Sequence, residues 1–357
     1  MKATEWLVFV RRKYMLKCPV DEKELNWLLS EPAPALTEMM KRLEGDIAIL
    51  GVAGKMGVTM AMQAKRAVDA AGVKKRIIGV ARFSNPEEKV KLEEAGVETI
   101  KCDLLDREQV NALPDFPNIV FMAGKKFGTQ GNEAQTWAMN ALAPAFTAEK
   151  FRNSRMVIFS TGCVYPLKSS AQGGCVESDM PSPIGEYSQS CLARERIFEY
   201  YQQMYGTKML FFRLNYAIDL RYGVLHDICR PIWEGREVSN SVGFFNCIWQ
   251  GDANANALLS LELADNPRRI LNVTGPETAS TEKTALEMGR LLGKEVKFTC
   301  AEAGDLNYLN DASEMIKLFG KPRVSLEELI RLQAEWISQG GISIGKPTHF
   351  EVNNGKF

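Results

Sequence analysis

The stretch "DIAILGVAGKMG", residues 46–57, decides the fold of this chain. Its first half is a short apolar run of the kind that forms a buried strand, and a stretch of helical periodicity begins at Val58. Between them, Gly51 permits a tight turn, Gly54 lets the backbone approach a pyrophosphate and Gly57 allows the helix to pack closely on the strand. Lys55 and Met56 lie between Gly54 and Gly57, and together with the three glycines they are the predicted cofactor-binding residues of this loop. The stretch therefore predicts a dinucleotide-binding loop.

The same alternation of apolar strand and amphipathic helix continues along the chain. Helices are predicted over 58–71, 87–95, 136–151 and 187–205. Strands that are apolar throughout indicate burial on both faces, as in a parallel sheet covered by helices. The further strands are "RIIGVA", "ETIKCD", "NIVFMAG", "RMVIFST", "KMLFFRL" and "RILNVTG". We predict an α/β fold with a doubly wound parallel sheet, the Rossmann fold, and a smaller C-terminal substrate domain.

The predicted domain organisation has three parts. Residues 1–45 form an N-terminal helical extension. Residues 46–215 form the dinucleotide-binding domain, and residues 248–275 return to its sheet. Residues 216–247 and 276–357 form the substrate-binding domain and a C-terminal tail, which is expected to fold back over that domain or over a neighbouring subunit.

Composition excludes several classes of function. The 44 basic and 44 acidic residues cancel, so no global field draws the chain to nucleic acid or to a membrane surface. The apolar run "WLVFV" near the start is too short to span a bilayer. Eight scattered cysteines without a CxxC pair predict reduced thiols and a cytoplasmic protein. With only His226 and His349 available, we predict no metal site.

The glycine spacing GxxGxxG and the motifs that follow it resemble the NAD-dependent epimerase/dehydratase family, the extended short-chain dehydrogenases, from residue 46 to about residue 337. The motifs occur in the family's order: "CDLLD", "FMAGKKFG", "WAMNALAPAF", "FSTGCVYP", "YSQSC" and "WQGDANANALL". The resemblance implies an NAD or NADP cofactor, a carbohydrate substrate and a homodimer. It also implies a set of cofactor-side residues: Asp103, Leu104, Ala123, Gly124, Lys125, Asn140 and Asn215.

The residue after the second strand bears on the choice of cofactor. A carboxylate there would bind the ribose hydroxyls of NAD, whereas Arg82 could pair with a 2′-phosphate. This favours NADP and leaves NAD open.

The resemblance implies a catalytic pair, Thr161 and Tyr187, in which the phenol exchanges a proton with a substrate hydroxyl that the threonine holds. The family has a lysine four residues after the tyrosine, where this chain has Cys191. Three interpretations follow. Tyr187 works with charge from another residue such as Lys125 or Lys126, Cys191 itself transfers a proton or positions the substrate, or redox catalysis is lost.

We favour an NAD(P)-dependent epimerase, dehydratase or dehydrogenase acting on a sugar, a sugar acid or a nucleotide sugar. The alternative is a redox-inactive NAD(P)-binding sensor or assembly protein. Arg221 and Tyr222 are candidate substrate residues, since Arg221 could bind a carboxylate or phosphate through two hydrogen bonds. For Arg221, an ion pair with Asp219 or Asp227 is the alternative.

Overall fold

The first strand, Ile47–Leu50, is buried at every position and pairs in parallel with strands on both sides. It lies in the middle of a seven-stranded sheet in the computed structural model, which describes residues 16–126, 128–346 and 348–355. The order across the sheet is β10, β6, β5, β4, β1, β2, β3, and all neighbours are parallel. The strands are β1 Ile47–Leu50, β2 Ile77–Ala81, β3 Glu98–Lys101, β4 Asn118–Phe121, β5 Arg155–Thr161, β6 Lys208–Leu214, β7 Ala217–Ile218, β8 Phe244–Phe245, β9 Ile248–Trp249, β10 Arg269–Val273 and β11 Ala279–Ser280.

Helices cover both faces of the sheet, which confirms the predicted doubly wound fold. Alternate residues of β1 enter opposite cores, with Ile47 and Ile49 on one face and Ala48 and Leu50 on the other. The helices are α1 Glu22–Leu29, α2 Pro34–Arg42, α3 Gly57–Ala71, α4 Pro86–Glu94, α5 Arg107–Ala112, α6 Glu133–Trp137, α7 Ala143–Lys150, α8 Gly185–Tyr205, α9 Val224–Trp233, α10 Gln250–Leu259, α11 Thr281–Leu292, α12 Ser313–Phe319 and α13 Leu326–Ser338.

A separate hydrophobic core lies among α9, α11 and α13, in the part of the chain predicted to bind substrate. The predicted extension contributes to both cores: Leu36 and Met39 of α2 pack against the sheet core, whereas Leu25 and Leu29 of α1 belong to the second core. Residues 1–15 of that extension lie outside the described residues. The strand β10 joins the edge of the sheet beside β6, as predicted for the returning segment.

The helix predicted over 136–151 is interrupted. A π-helical turn, Ala138–Leu142, separates α6 from α7. Pro144 follows this turn and has no backbone N–H to donate, which is consistent with the local change of hydrogen-bond pattern. Among the described helices, none is long and apolar enough to cross a membrane.

Candidate active site and cofactor cleft

Two cavities of 380 and 360 Å³ open along the carboxyl edge of the sheet. Both are lined by Gly51, Gly54, Met122 and Gly124, so they meet at the loops that follow β1 and β4. Ligands of open parallel sheets bind at this edge, where the strand order reverses. The two cavities form one extended cleft, which we call the cofactor cleft.

The glycine loop has the geometry that its spacing predicts. Gly51 has φ +88°, and a Cβ there would lie 2.6 Å from the backbone nitrogen of Ala123. A Cβ on Gly57 would lie 2.2 Å from the carbonyl oxygen of Val52, so this glycine is required for α3 to pack on the turn. A Cβ on Gly54 would meet one atom within 4 Å, the carbonyl oxygen of Gly51 at 3.4 Å, because Gly54 faces the cleft. The loop therefore leaves room for an anion at the start of α3.

The second cavity brings together the residues expected beside the adenosine: Arg82, Asp103, Leu104 and Ala123. The Arg82 side chain is 55% exposed, and its Nη1 lies 4.0 Å from Oδ2 of Asp103. The Asp103 carboxylate therefore lies next to the Arg82 guanidinium, which was expected to bind a 2′-phosphate of NADP.

Asn140 lies in the π-helical turn and binds protein groups rather than lining either cavity. Its Oδ1 accepts from the Lys125 N–H at 2.9 Å, and its Nδ2 donates to the Lys125 carbonyl at 2.9 Å and to Ser190 Oγ at 2.9 Å. The side chain therefore fixes the loop after β4 against α8. Asn140 was expected on the cofactor side, and these contacts make any effect of its side chain on a cofactor indirect, through the loop after β4.

Thr161 and Tyr187 converge in the first cavity. Thr161 is the last residue of β5, and Tyr187 lies in the first turn of α8, so strand end and helix start bring the two hydroxyls into a hydrogen bond. Burial raises the pKa of Tyr187 well above its usual value, and the neighbouring Cys191 and Cys163 raise it further. The positive charge of Arg194 and the hydrogen bond from Thr161 act in the opposite direction.

Cys191 lies behind Tyr187, packed against Val164, Tyr165 and Cys175, and is 1% exposed. Burial raises the pKa of its thiol to about 11, so the thiol is protonated at neutral pH. Proton transfer to substrate, which was one interpretation of this residue, is not supported, because the side chain does not line the cleft and does not ionise there. Its position is that of a small buried apolar residue.

The cation whose charge opposes the raised pKa of Tyr187 is Arg194, which sequence analysis missed. It lies seven residues after Tyr187 on α8, hence two helical turns further along the same face. Its guanidinium lines the first cavity and is buried, with Nη1 donating to the Phe159 carbonyl at 2.7 Å and Nη2 to Asn140 Oδ1 at 2.7 Å. A Cβ on Gly124 would lie 2.5 Å from Nη2, so the glycine admits the arginine. The i, i+7 spacing was the available signal.

A buried ion pair beneath the cleft anchors α8 to the sheet. Arg213 of β6 donates to Glu195 through Nε at 2.9 Å and Nη2 at 2.7 Å, and Ser160 Oγ of β5 donates to the same carboxylate at 2.5 Å. Removing one partner of such a pair leaves an uncompensated buried charge, which is strongly destabilising. The pair fixes the helix that carries Tyr187 and Arg194.

The two predicted substrate residues, Arg221 and Tyr222, lie in different places. Tyr222 lines the first cavity, as does Asn215, which was predicted on the cofactor side. Arg221 does not line it: its Nε and Nη2 donate to Asp219 at 2.9 and 2.6 Å, and its Nη1 donates to Glu22 of α1 at 3.0 Å. The structure thus contains the alternative ion pair with Asp219, but the pair is buried rather than at the surface.

The C-terminal tail reaches the cleft. Thr348 lines the first cavity, and its N–H and hydroxyl donate to Asp227 of α9 at 2.6 and 2.5 Å. A Cβ on Gly185 would lie 2.3 Å from the Gly355 carbonyl oxygen, so the tail also touches the start of α8. The tail thus folds back over the substrate side of its own chain, one of the two expected positions.

The fold and the Thr–Tyr pair at the carboxyl edge define a dinucleotide-binding α/β protein of the short-chain dehydrogenase type. Residues 47–217 match the model of the NAD dependent epimerase/dehydratase family. This match, over somewhat less than half of the chain, confirms the resemblance for residues 47–217 and, at the level of the family that it matches, the prediction of an NAD-dependent epimerase/dehydratase-type enzyme.

Solved structures with low sequence identity share the fold. A UDP-glucuronic acid 4-epimerase mutant from Bacillus cereus, in complex with a fluorinated UDP-glucuronic acid and NAD, is 17% identical with TM-score 0.68, covering 82% of this chain and 99% of its own. UDP-glucose 4-epimerase from Thermotoga maritima, with UDP-glucose, is 20% identical with TM-score 0.69, covering 83% and 99%. dTDP-glucose 4,6-dehydratase from Bacillus anthracis, with NAD, is 17% identical with TM-score 0.69, covering 83% and 97%. No curated protein sequence matches the chain.

Proposed function

We propose that the protein is an NAD-dependent epimerase or dehydratase of a nucleotide sugar. The observation that carries this proposal is the hydrogen-bonded pair Thr161 and Tyr187 in a cleft whose other half continues past the glycine loop. The similar structures act on UDP-linked or dTDP-linked sugars, which supports this substrate class over a free sugar.

The chain's own residues supply binding and proton transfer. Gly51, Gly54 and the start of α3 would hold the pyrophosphate, and the second cavity would hold the adenosine. NAD, when bound, supplies reversible hydride transfer at a sugar carbon. Thr161 would hold the substrate hydroxyl, and Tyr187 would take its proton and later return one. Arg194 would supply the charge that the family's lysine supplies, since a nearby cation favours the phenolate.

NAD is the proposed cofactor, and a substitution of Arg82 tests whether the protein prefers NAD to NADP. Because Asp103 lies 4.0 Å from the guanidinium, a 2′-phosphate would meet a carboxylate as well as a cation. We expect Arg82→Ala to leave the Kd for NAD nearly unchanged and to weaken any NADP binding about tenfold, because it removes the guanidinium that would pair with the phosphate. Titration calorimetry with both dinucleotides measures this. Tighter NADP than NAD binding by the wild type would overturn the choice of NAD.

The first experiment identifies what the protein carries. Protein purified without added nucleotide is denatured, and the released dinucleotide is identified by mass spectrometry. The same preparation is incubated with UDP-glucose, UDP-glucuronic acid and dTDP-glucose, and the products are separated by chromatography. Stoichiometric NAD with conversion of one of these sugars supports the proposal, whereas bound NAD without any conversion contradicts it.

A redox-inactive NAD(P)-binding sensor is the second candidate. The favouring observation is the raised pKa of Tyr187 together with a neutral thiol at the position of the family's lysine. This candidate requires that NAD change the oligomeric state or the affinity for a partner without turnover. Light scattering with and without NAD tests the first requirement.

We further propose a homodimer in the cytoplasm. Tyr200 and Met204 of α8 and Leu142 beside α7 are exposed apolar side chains, 57%, 50% and 46% exposed, which supports association through this side of the domain. The cysteines are all unpaired, which supports a reducing compartment. A monomeric mass in light scattering at micromolar concentration would contradict the dimer.

A further inference from the structure

The first cavity is lined by cationic side chains that do not line the second cavity, among them two lysines from separate loops. Lys55, from the glycine loop, and Lys126, from the loop after β4, line this cavity and do not line the second. The Lys55 ammonium lies 3.3 Å from the centroid of the Tyr222 ring, and the Lys126 ammonium lies 5.6 Å from that of Tyr187. We call Lys55, Lys126 and Tyr222 the lysine subsite.

The charges of the subsite act on one another. The pKa of Lys55 is lowered to about 7, mainly by burial and in addition by the positive charges of Lys126 and of Lys346 in the C-terminal tail. Asp227 and Asp219 oppose this effect. Among the described residues that line the cavity there is no carboxylate, so positive charge from separate parts of the chain accumulates in one place. Like charges held together at low solvent exposure cost free energy that an anion would offset.

The position of Lys126 indicates which anionic group of a nucleotide sugar the lysine subsite would bind. Its ammonium is near the ring of Tyr187, where the reacting carbon of the sugar would lie. A carboxylate carried by the sugar ring is within a few bonds of the reacting carbon, whereas the diphosphate of a nucleotide sugar leaves from the anomeric carbon and extends away from it. The subsite therefore fits a group on the ring itself.

We propose that Lys55 and Lys126 bind a carboxylate on the sugar ring, so that the substrate is a nucleotide-linked uronic acid. The proposal rests on the proposed function for the presence of a nucleotide sugar in the cleft. It assigns to Lys55, which follows Gly54 directly, a substrate role in addition to the cofactor role of the loop. Tyr222 positions the Lys55 ammonium through its ring.

Binding without turnover tests this assignment. UDP-glucuronic acid, UDP-glucose and UDP are titrated calorimetrically into protein loaded with NAD, using Lys55→Met, Lys126→Met and, as a control, Lys74→Met, which changes an exposed lysine outside both cavities. Each subsite variant is expected to weaken UDP-glucuronic acid at least about tenfold and UDP-glucose less than about twofold, because only the former carries the ring carboxylate. Lys55→Arg, which keeps the charge, is expected to retain the discrimination.

Other outcomes overturn the proposal in recognisable ways. An equal loss for UDP-glucuronic acid, UDP-glucose and UDP would mean that the lysines bind the diphosphate. Unchanged affinities in both variants, or a wild type that prefers UDP-glucose or binds none of the three probes, would also refute it. Thermal unfolding of each variant separates misfolding from lost contacts. The test measures affinity alone. A protein that binds the nucleotide-linked uronic acid selectively but does not convert it would therefore contradict the proposed function and still support the lysine subsite.

Discussion

A Tyr187→Phe variant is expected to turn over its sugar nucleotide ~10²- to 10⁴-fold more slowly than the wild type, with unchanged affinity for NAD. The change removes the phenol oxygen and keeps the ring, which packs against Cys163, Tyr308 and Cys191. The hydrogen bonds of the phenol oxygen with Thr161 and with the Cys191 thiol are lost from the folded protein, at a cost of ~1 kcal/mol each. Rates are measured by chromatography of the product, and NAD affinity by calorimetry.

The matched control is Tyr205→Phe. This tyrosine ends the same helix, is 37% exposed and lines neither cavity, so turnover should be retained. Wild-type turnover in Tyr187→Phe would remove the proton-transfer role. Equal losses in the two variants would point to a general loss of folded protein rather than to one proton carrier.

Arg194→Gln is expected to lower turnover at pH 7 about 10²-fold, the scale on which a single buried electrostatic group acts in an active site. Removing the cation also takes away the interaction that opposes the raised pKa of Tyr187. The pKa then rises further, so the phenolate forms at higher pH, and the rising limb of the pH–rate profile should move to higher pH. The profile of turnover from pH 6 to 10 measures this shift.

Two further variants separate charge from structure. Arg194→Lys keeps a cation and is expected to recover part of the rate and of the profile. Cys191→Ala removes a buried group beside Tyr187 and is expected to lower the free energy of unfolding without moving the profile to higher pH, since the thiol is neutral there. If Arg194→Gln unfolds more easily but keeps the wild-type profile, the guanidinium is a structural hydrogen-bond donor only.

The sheet and the loops at its edge were predictable because their signals are local. The run Ile47–Leu50, the glycines after it and the helix that starts at Gly57 each follow from neighbouring residues, and the parallel topology follows from repeated alternation. Thr161 and Tyr187 were found through the resemblance to the family, and they meet because a strand end and a helix start of a doubly wound sheet lie at one edge.

The roles of Cys191, Arg194 and Arg221 depended on contacts between segments far apart in the chain. The motif located Cys191 but could not show that Tyr165 and Cys175 bury it. Arg221 was predicted to bind the substrate, but its guanidinium binds Asp219 and, from the distant helix α1, Glu22.

The sequence by itself determined the class of fold and the glycine loop, because strand and helix periodicity and the steric freedom of glycine act over a few residues, and its resemblance to the family pointed to the Thr–Tyr pair. Only the tertiary structure decided that Arg194 acts on Tyr187 and that Lys55 and Lys126 line the same cavity. Charges interact through space and depend on burial, so their effect on a pKa or on a ligand is set by distances that the order of residues does not contain.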